Sequence, residues 1–231
     1  MQQEPKRRTR RTKTKFDESK SRIDLTPRNE NQAKYIEALS KADQVIVFGP
    51  AGTGKTYVVS TFAANAYHMK EVNKVVITRP HIPVGKDIGF LPGTLEEKSA
   101  PWALPVLDVL ERHLGKGVVE TALKNGNIEV APLALMRGRS FDDAFVICDE
   151  AQNITLPELK MLVTRIGEGS TLVLNGDIQQ SDLKEGDGLS KIIHLTKKHM
   201  LPIPIIEFTL DDIVRSDICK LWITTFTKEG L

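Results

Sequence analysis

The sequence predicts an α/β protein with a mostly parallel sheet that is covered by helices on both faces. Short apolar runs of strand length recur along the chain, and helical patterns separate most of them. The strand runs are continuously apolar, which is typical of strands buried on both faces of a parallel sheet. At 231 residues, the chain is expected to form one folded domain of this kind.

The first predicted element is a helix at 29–42, where apolar residues recur at helical spacing and Asn29 or Asn31 can cap the start. The predicted strands are 45–48, 74–80, 128–133, 145–150, 170–177 and 204–208. The predicted helices between them are 55–69, 101–114, 116–125, 156–165 and 187–200. Open sheets of this kind bind ligands at the carboxyl ends of their strands, so the residues that follow the strands are the candidates for a site.

Residues 1–22 form a predicted disordered arm, and the folded domain is predicted to be 23–231. The arm holds nine Lys or Arg against three acids, so it carries +6 and leaves −4 for the rest of a chain whose net charge is +2. A basic arm on a mildly acidic body indicates attraction to a polyanion, most often nucleic acid. The alternative is a solvated tail without a specific partner.

Several classes of protein are excluded by pattern. The apolar runs fall far short of the roughly 20 residues that span a bilayer, and the charged N-terminus lacks the apolar stretch of a secretory signal. We therefore expect a cytoplasmic protein without a membrane partner. The two cysteines and five histidines have none of the spacings of zinc or redox sites, so a metal site built from protein ligands alone is not expected.

The stretch "GPAGTGKT", residues 49–56, follows a predicted strand and opens a predicted helix. Its glycines let the backbone approach phosphate closely, and the amides of the loop and helix start form an anion cradle. Lys55 adds a charge for the β- and γ-phosphates, and Thr56 offers its hydroxyl to Mg²⁺. It is not a dinucleotide fingerprint, because Tyr57 stands where the third glycine would be. The predicted nucleotide-binding residues here are Gly49, Pro50, Ala51, Gly52, Thr53, Gly54, Lys55, Thr56 and Tyr57.

Two further strands end in polar residues. The strand in "AFVICDEAQN" ends at Asp149, placed to hold Mg²⁺, and at Glu150, which can polarise an attacking water as general base. The strand in "LVLNGDIQQSDL" ends near Asp177 and Gln180. We expect both to lie beside the γ-phosphate, where Gln180 can sense it or orient water.

With these residues assembled, the sequence resembles the PhoH family of P-loop ATPases, which is related to the ATPase core of superfamily 1 helicases. The resemblance covers about residues 26–220. Its most specific stretches are "TRPHIPVGKDIGFLPGTLEEK" (78–98) and "APLALMRGRSFDDAFVICDEAQN" (131–153), and "DDIVRS" (211–216) adds to them. It implies a P-loop, RecA-like α/β fold that binds ATP and Mg²⁺.

The resemblance also implies roles for residues outside the loop. Gln32 matches a helicase glutamine that contacts adenine, which implies a preference for ATP. Thr78, Arg79 and Pro80 match a segment that lies along single-stranded nucleic acid in related helicases. Gln180 matches the glutamine that couples the γ-phosphate to that strand.

Arg215 resembles the arginine that reaches the γ-phosphate and stabilises the transition state. Whether it acts on its own site or on a neighbour's stays open at this point, and Arg139 and Arg165 are rival arginines. Superfamily 1 helicases close a cleft between two such domains, whereas this chain has room for one. A ring of subunits would supply the second wall, and similar proteins suggest a hexamer.

Three functions remain open. The first is an Mg²⁺-dependent ATPase coupled to single-stranded RNA or DNA. The second is a nucleotide-gated binding module that hydrolyses ATP slowly and unwinds nothing. The third is a small-molecule kinase, which is disfavoured because Glu150 beside Asp149 suits water activation. A GTPase is disfavoured further, because the chain lacks the NKxD motif that reads guanine.

Overall fold

The computed structural model describes residues 22–80, 95–178 and 187–229. In the second range, side chains are described from residue 101 onward. In these ranges the strands form one six-stranded sheet in the order β3-β2-β4-β5-β1-β6, and every pairing is parallel. The strands are β1 Gln44–Phe48, β2 Lys74–Thr78, β3 Ile128–Val130, β4 Ala144–Cys148, β5 Thr171–Gly176 and β6 Ile205–Glu207. The predicted parallel α/β fold is confirmed.

Helices cover both faces of the sheet, as the sequence predicts. They are α1 Glu30–Lys41, α2 Lys55–His68, α3 Leu95–Leu114, α4 Lys116–Lys124, α5 Leu156–Val163, α6 Gly188–Lys198 and α7 Asp217–Glu229. Helices α1 to α4 pack on one face in a first apolar cluster, and α5 and α6 pack on the other face in a second. Strand β1 shows the alternation, since Val45 and Val47 belong to the first cluster and Ile46 to the second.

Some predicted boundaries are wrong. Strand β2 ends at Thr78 and β3 at Val130, because the prolines that follow, Pro80 and Pro132, have no N–H to continue a ladder. Helix α3 begins at Leu95, ahead of Pro101. No element was predicted after residue 208, yet α7 forms there without a single buried residue.

The topology gathers four chain segments at one edge of the sheet. Strand β1 lies between β5 and β6, and β4 pairs with β5, so the residues that follow these four strands are close together. This is the carboxyl edge, where parallel α/β sheets bind ligands. Within the described ranges, no helix is long and apolar enough to cross a membrane.

Candidate functional site

A cavity opens at this edge, between the loop after β1 and the residues that follow β4, β5 and β6. The residues that line it are Ala51, Gly52, Gly54, Lys55, Thr56, Tyr57, Asp149, Glu150, Asn175, Gly176, Asp177 and Arg215. Most of the sequence-predicted site residues that the structure describes are therefore brought to one place.

The loop after β1 has a backbone that requires glycine. Gly49 has φ +138°, and a Cβ added there would lie 2.3 Å from the carbonyl oxygen of Phe208. Gly54 has φ +83°, and a Cβ there would lie 2.8 Å from Nε2 of Gln32. Helix α2 starts directly after Gly54 with no acidic residue in its first turn, so its N-terminal amides and dipole favour an anion at the cavity.

Lys55 is buried at the base of the loop. Its Nζ donates hydrogen bonds to the carbonyl oxygens of Gly49 (2.7 Å) and Pro50 (2.8 Å). Burial lowers the pKa of Lys55, and the carboxylates of Asp177, Asp149 and Glu150 oppose that shift. The lysine is therefore a preorganised cation that faces three acids.

Asp149 lies beside Thr56 and is held by an asparagine that sequence reasoning missed. The Thr56 hydroxyl donates to Oδ1 of Asp149 at 3.4 Å, and Nδ2 of Asn175 donates to the same oxygen at 2.6 Å and to Thr56 Oγ1 at 3.1 Å. Burial, and after it the charge of Glu150, raises the pKa of Asp149 to about 6. A polar residue at the end of an apolar strand was the signal for Asn175, but Asp177 and Gln180 were the residues predicted from that stretch.

These oxygens fit Mg²⁺. Thr56 and Asp149 offer a hydroxyl and a carboxylate, the ligand types that Mg²⁺ prefers, and such sites are usually completed by waters and substrate phosphates. Within the described part of the chain, no group of three or more His, Cys, Asp or Glu side chains could hold a metal. The donor set therefore suits an ion that arrives with phosphates.

Glu150 has an unusual backbone and a defined side-chain partner. Its φ is +52°, in the left-handed region that non-glycine residues rarely adopt. Nε2 of Gln152 donates to Glu150 Oε2 at 2.6 Å, and Oε1 of Gln152 accepts from the backbone N–H of Asp177 at 3.0 Å. Gln152 is 1% exposed, so this buried amide ties the end of β4 to the end of β5. The sequence predicted functions for the two acids of "DEAQN" and none for Gln152, because its contacts with Glu150 and Asp177 depend on the fold.

Arg215 lies at the cavity in the same chain as the loop. Its neighbour Val214 donates its N–H to the Gly52 carbonyl at 3.0 Å, and Arg215 Cγ lies 3.0 Å from where a Gly52 Cβ would be. The guanidinium-bearing side chain is otherwise exposed.

The rival arginines, Arg139 and Arg165, do not line the cavity. Arg139 pairs with Glu129 and stacks 5.0 Å over the Phe141 ring, a structural role that also raises the pKa of Arg139.

Gln32 is buried against the loop instead of being a solvated helix residue. Its Nε2 donates to the Thr53 carbonyl at 2.9 Å, and its Oε1 accepts from the N–H of Arg28 at 2.9 Å. Tyr57, which lines the cavity, is 42% exposed, and its ring faces His113 with ring centroids 6.3 Å apart. Both residues therefore border the loop.

The segment predicted to meet nucleic acid is mostly buried where the structure describes it. Thr78 is fully buried at the end of β2, and its carbonyl accepts from the N–H of Asp149 at 3.0 Å. Pro80 is also buried, and Arg79 between them is half-buried. Of the three, Arg79 is the residue with surface to offer. Gln180 and residues 1–21 of the basic arm lie outside the described residues.

Comparison with known proteins places the chain in a family. It matches the family model described as PhoH-like protein over residues 24–227. Protein PhoH of Escherichia coli (strain K12) is 41% identical over 207 residues, which cover 88% of this chain and 58% of that protein. The PhoH-like protein of Bacillus subtilis (strain 168) is 41% identical over 205 residues, which cover 86% of this chain and 63% of that protein. The chain thus spans less than two thirds of the length of these curated relatives.

Among solved structures, the SWI2/SNF2 ATPase core of Sulfolobus solfataricus in complex with dsDNA aligns over 81% of this chain and 45% of that chain. The identity is 14% and the TM-score is 0.46, a likeness too low to support an inference about this chain. The family match does not depend on it. With its glycine loop, its paired acids and a family match that runs through nearly all of the described domain, the chain belongs to the PhoH-like family.

Proposed function

We propose that this chain binds Mg²⁺-ATP in the cavity at the carboxyl edge of the sheet and hydrolyses it to ADP and phosphate. The single observation that carries the proposal is the convergence of cations, carboxylates and a hydroxyl on one cavity. These groups are Lys55, Thr56, Asp149, Glu150 and Arg215. Phosphoryl transfer is catalysed mainly by positioning and charge stabilisation, which is what such a set provides.

In this proposal the loop and the start of α2 bind the phosphates. Backbone amides of residues 51–56 and the helix dipole face the anion, and phosphate oxygens compete with loop carbonyls for the Lys55 ammonium group. Gln32 and Tyr57 border the loop, where Gln32 is proposed to contact adenine. The preference for ATP over GTP is then expected to weaken in Gln32→Ala.

Thr56 and Asp149 are the proposed ligands of the metal, and Asn175 orients the Asp149 carboxylate. Mg²⁺ held by these two residues would supply positive charge that offsets the negative charge of the phosphates. A cation next to Asp149 favours its ionised form, so its pKa is expected to fall from about 6 when the site is loaded.

Glu150 is the proposed general base and accepts a proton from the attacking water. Gln152 donates a hydrogen bond to Glu150 Oε2 and so fixes the orientation of the carboxylate. Arg215 is proposed to stabilise the negative charge on the γ-phosphate in the transition state. Its contact with Gly52 favours action on the site of its own chain. Gln180 stays a predicted sensor of the γ-phosphate.

We further propose that the ATPase cycle is coupled to single-stranded RNA or DNA and runs in the cytoplasm. The nine basic residues in 1–22 support an electrostatic attraction to polynucleotide. Arg79 supports a contact near the site, because it follows β2 and its charge acts on Asp149. A nucleic-acid strand bound at Arg79 would change the charge near Asp149 and could in this way affect the proposed metal ligands.

Self-association into a ring, with a hexamer as the expected size, is the last part of the proposal. Helix α7 supports it because its outer side is apolar. Ile218, Leu221, Trp222 and Phe226 are 62%, 61%, 55% and 47% exposed, and the last two stack with centroids 5.4 Å apart. Exposed apolar stripes rich in aromatic residues are typical of protein interfaces.

The test of ATP binding is calorimetry with Mg²⁺-ATP on wild type, Lys55→Ala and Lys124→Ala. Lys124 is exposed at the end of α4, so its variant is the matched control. We expect binding in wild type and the control, its loss in Lys55→Ala, and weaker binding when EDTA removes the metal. Equal affinity in all three proteins would overturn the assignment of the loop.

Polynucleotide separates the open functions. Turnover that rises with single-stranded RNA or DNA at low salt and loses this response at high salt supports coupling. Turnover that ignores both, without strand displacement, favours the nucleotide-gated module, and phosphate transfer to an acceptor favours the kinase. Light scattering on wild type and Trp222→Glu tests the ring, since a charge on α7 is expected to reduce the mass of the particle.

A further inference from the structure

The tip of the phosphate loop is held from two sides by groups far apart in the sequence. The Gly52 carbonyl accepts the N–H of Val214 at 3.0 Å, and the Thr53 carbonyl accepts Nε2 of Gln32 at 2.9 Å. One holding segment is the start of α1 and the other follows β6. The position of the loop therefore depends on how these two segments lie relative to each other.

Asp212 joins the two segments. Its Oδ2 accepts Nδ2 of Asn31 at 2.8 Å, and its backbone carbonyl accepts Nδ2 of Asn29 at 3.1 Å. The same Oδ2 accepts the N–H and the hydroxyl of Thr209, at 2.8 and 3.1 Å, and so closes the short helical turn at Leu210–Asp212. We call Asn29, Asn31 and Asp212 the Asp212 junction.

Asp212 is the buried member of the junction, Asn29 and Asn31 are half-buried, and the hydrogen bonds to the Asp212 carboxylate are charge-assisted. Asp212 is 7% exposed and Ile213 is 7% exposed, whereas Arg215 is exposed. Hydrogen bonds to a carboxylate are roughly twice as strong as bonds between neutral groups, so three donors on one partly buried oxygen fix its position well. An exposed arginine has no such support of its own, and its place over Gly52 depends on the backbone that precedes it.

We infer that the Asp212 junction positions Arg215 over the phosphate loop of its own chain, with Asp212 and Asn31 as positioning residues that act through Arg215. The inference rests on the proposed function, because Arg215 serves turnover only if the cavity hydrolyses ATP. It adds that the contact between Asn31 and Asp212, across 181 residues, sets the position of the arginine.

The first test is a double-mutant cycle between Asn31→Ala and Arg215→Ala. Asn31→Ala removes one donor to Asp212 and leaves the bonds of Asp212 to Thr209 in place, so the fold is expected to persist. Asn127→Ala is the matched control, because Asn127 donates to the Asn73 carbonyl at 3.2 Å on an exposed part of the chain. Asp212→Asn, which keeps the size of the side chain, is the second variant.

We expect Asn31→Ala to lower kcat by about tenfold while the Kd for Mg²⁺-ATP stays within about twofold, since misplacing a catalytic group affects turnover more than binding. In the Arg215→Ala background, Asn31→Ala is expected to lower kcat no further. Full additivity of the two changes would overturn the inference, as would wild-type kcat in Asn31→Ala.

The second test needs no activity. Hydrogen exchange of the nucleotide-free protein reports the Val214 amide, whose partner is the Gly52 carbonyl. In Asn31→Ala and Asp212→Asn this amide is expected to exchange about tenfold faster, with strand β5 unchanged. Unchanged exchange at Val214 overturns the inference even if the ATPase proposal holds. If wild type hydrolyses no ATP, the proposed function fails, and this exchange rate alone decides whether the junction holds the segment on the loop.

Discussion

The two walls of the cavity hold their functional groups by different means. The strand wall, at the ends of β4 and β5, contains Asp149, Glu150 and Asp177. The negative charges of these carboxylates all act on the buried Lys55. The second wall is Arg215, which lines the cavity, together with the segments behind it that contact the loop, the start of α1 and residues 208–214. The contacts of these segments are made mostly by side-chain amides and backbone groups. The one buried carboxylate of this wall, Asp212, has several donors on a single oxygen.

This difference separates chemistry from position. Burial, and after it the charge of Glu150, raises the pKa of Asp149, so a metal ion or a proton at this carboxylate is favoured. Amide groups whose hydrogen bonds are already made gain no stabilisation from a ligand. They fix the distance between the segments that they join. The strand wall is therefore suited to metal binding and water activation, and the second wall to holding the loop and Arg215 in place.

The largest effect that distinguishes the walls is expected for Arg215→Ala. Turnover should fall by about a hundredfold or more while ATP still binds, because this arginine is the group that the second wall gives to the transition state. Steady-state hydrolysis and calorimetry measure the two quantities. Arg112→Ala, an exposed change on α3, is the control.

The same variant tests whether the wall acts within one chain. Arg215→Ala mixed with Lys55→Ala is expected to stay inactive, because each chain then lacks one group of its own site. Recovery of turnover in the mixture would mean that Arg215 reaches a neighbouring subunit, and the comparison of two walls within one chain would fail.

A smaller effect is expected inside the strand wall for Gln152→Met, which keeps the side-chain volume and removes the hydrogen bonds to Glu150 and to the Asp177 N–H. The kcat should fall by about tenfold with little change in nucleotide affinity, because Glu150 loses the partner that orients it. Thermal unfolding checks that the variant is folded. A kcat equal to wild type would remove Gln152 from the account.

The smallest effect is on stability and concerns Asp149. Its pKa is about 6 in the folded protein and 3.8 as an ordinary carboxyl, so the folded state binds this proton more tightly than the unfolded state. The contribution of Asp149 to the free energy of unfolding therefore decreases as pH rises through that window and is flat above it. Asp149→Asn should remove this dependence.

At pH above the window and without Mg²⁺, Asp149→Asn is expected to be more stable than wild type by about 1–2 kcal/mol, less than the full pKa conversion because the carboxyl keeps some solvent contact. Urea unfolding of both proteins across pH in EDTA measures the difference. A less stable Asn variant would show that the strand wall is not strained by its charges.

Much of the strand wall could be predicted from sequence, because a parallel sheet delivers whatever follows its apolar strands to one edge. Asp149, Glu150 and Asp177 were predicted in this way, and Lys55 was predicted from the spacing of the loop "GPAGTGKT" after β1. Asn175 was missed because nothing in a single sequence tells which polar residue at a strand end points to the metal side.

The contacts of the second wall could not be predicted, although the family resemblance implied Gln32 and Arg215 as site residues. The main contact of this wall joins Asn31 to Asp212 across 181 residues, and it exists only because β6 lies beside β1. The burial of Gln32 follows from the same neighbourhood, since its amide meets a loop carbonyl that only the fold brings near. The exposure of the apolar side of α7 likewise depends on packing. The sequence of 217–229 does not tell whether that side faces the core or the solvent.

The central claim is that this cavity hydrolyses Mg²⁺-ATP with Glu150 as the base. Its most direct test is single-turnover ATP hydrolysis by wild type, Glu150→Gln and Glu168→Gln, the last an exposed acid as control. The account predicts that Glu150→Gln binds ATP as wild type does and hydrolyses it about a hundredfold or more slowly, with the control unchanged. Hydrolysis by Glu150→Gln at the wild-type rate would contradict it.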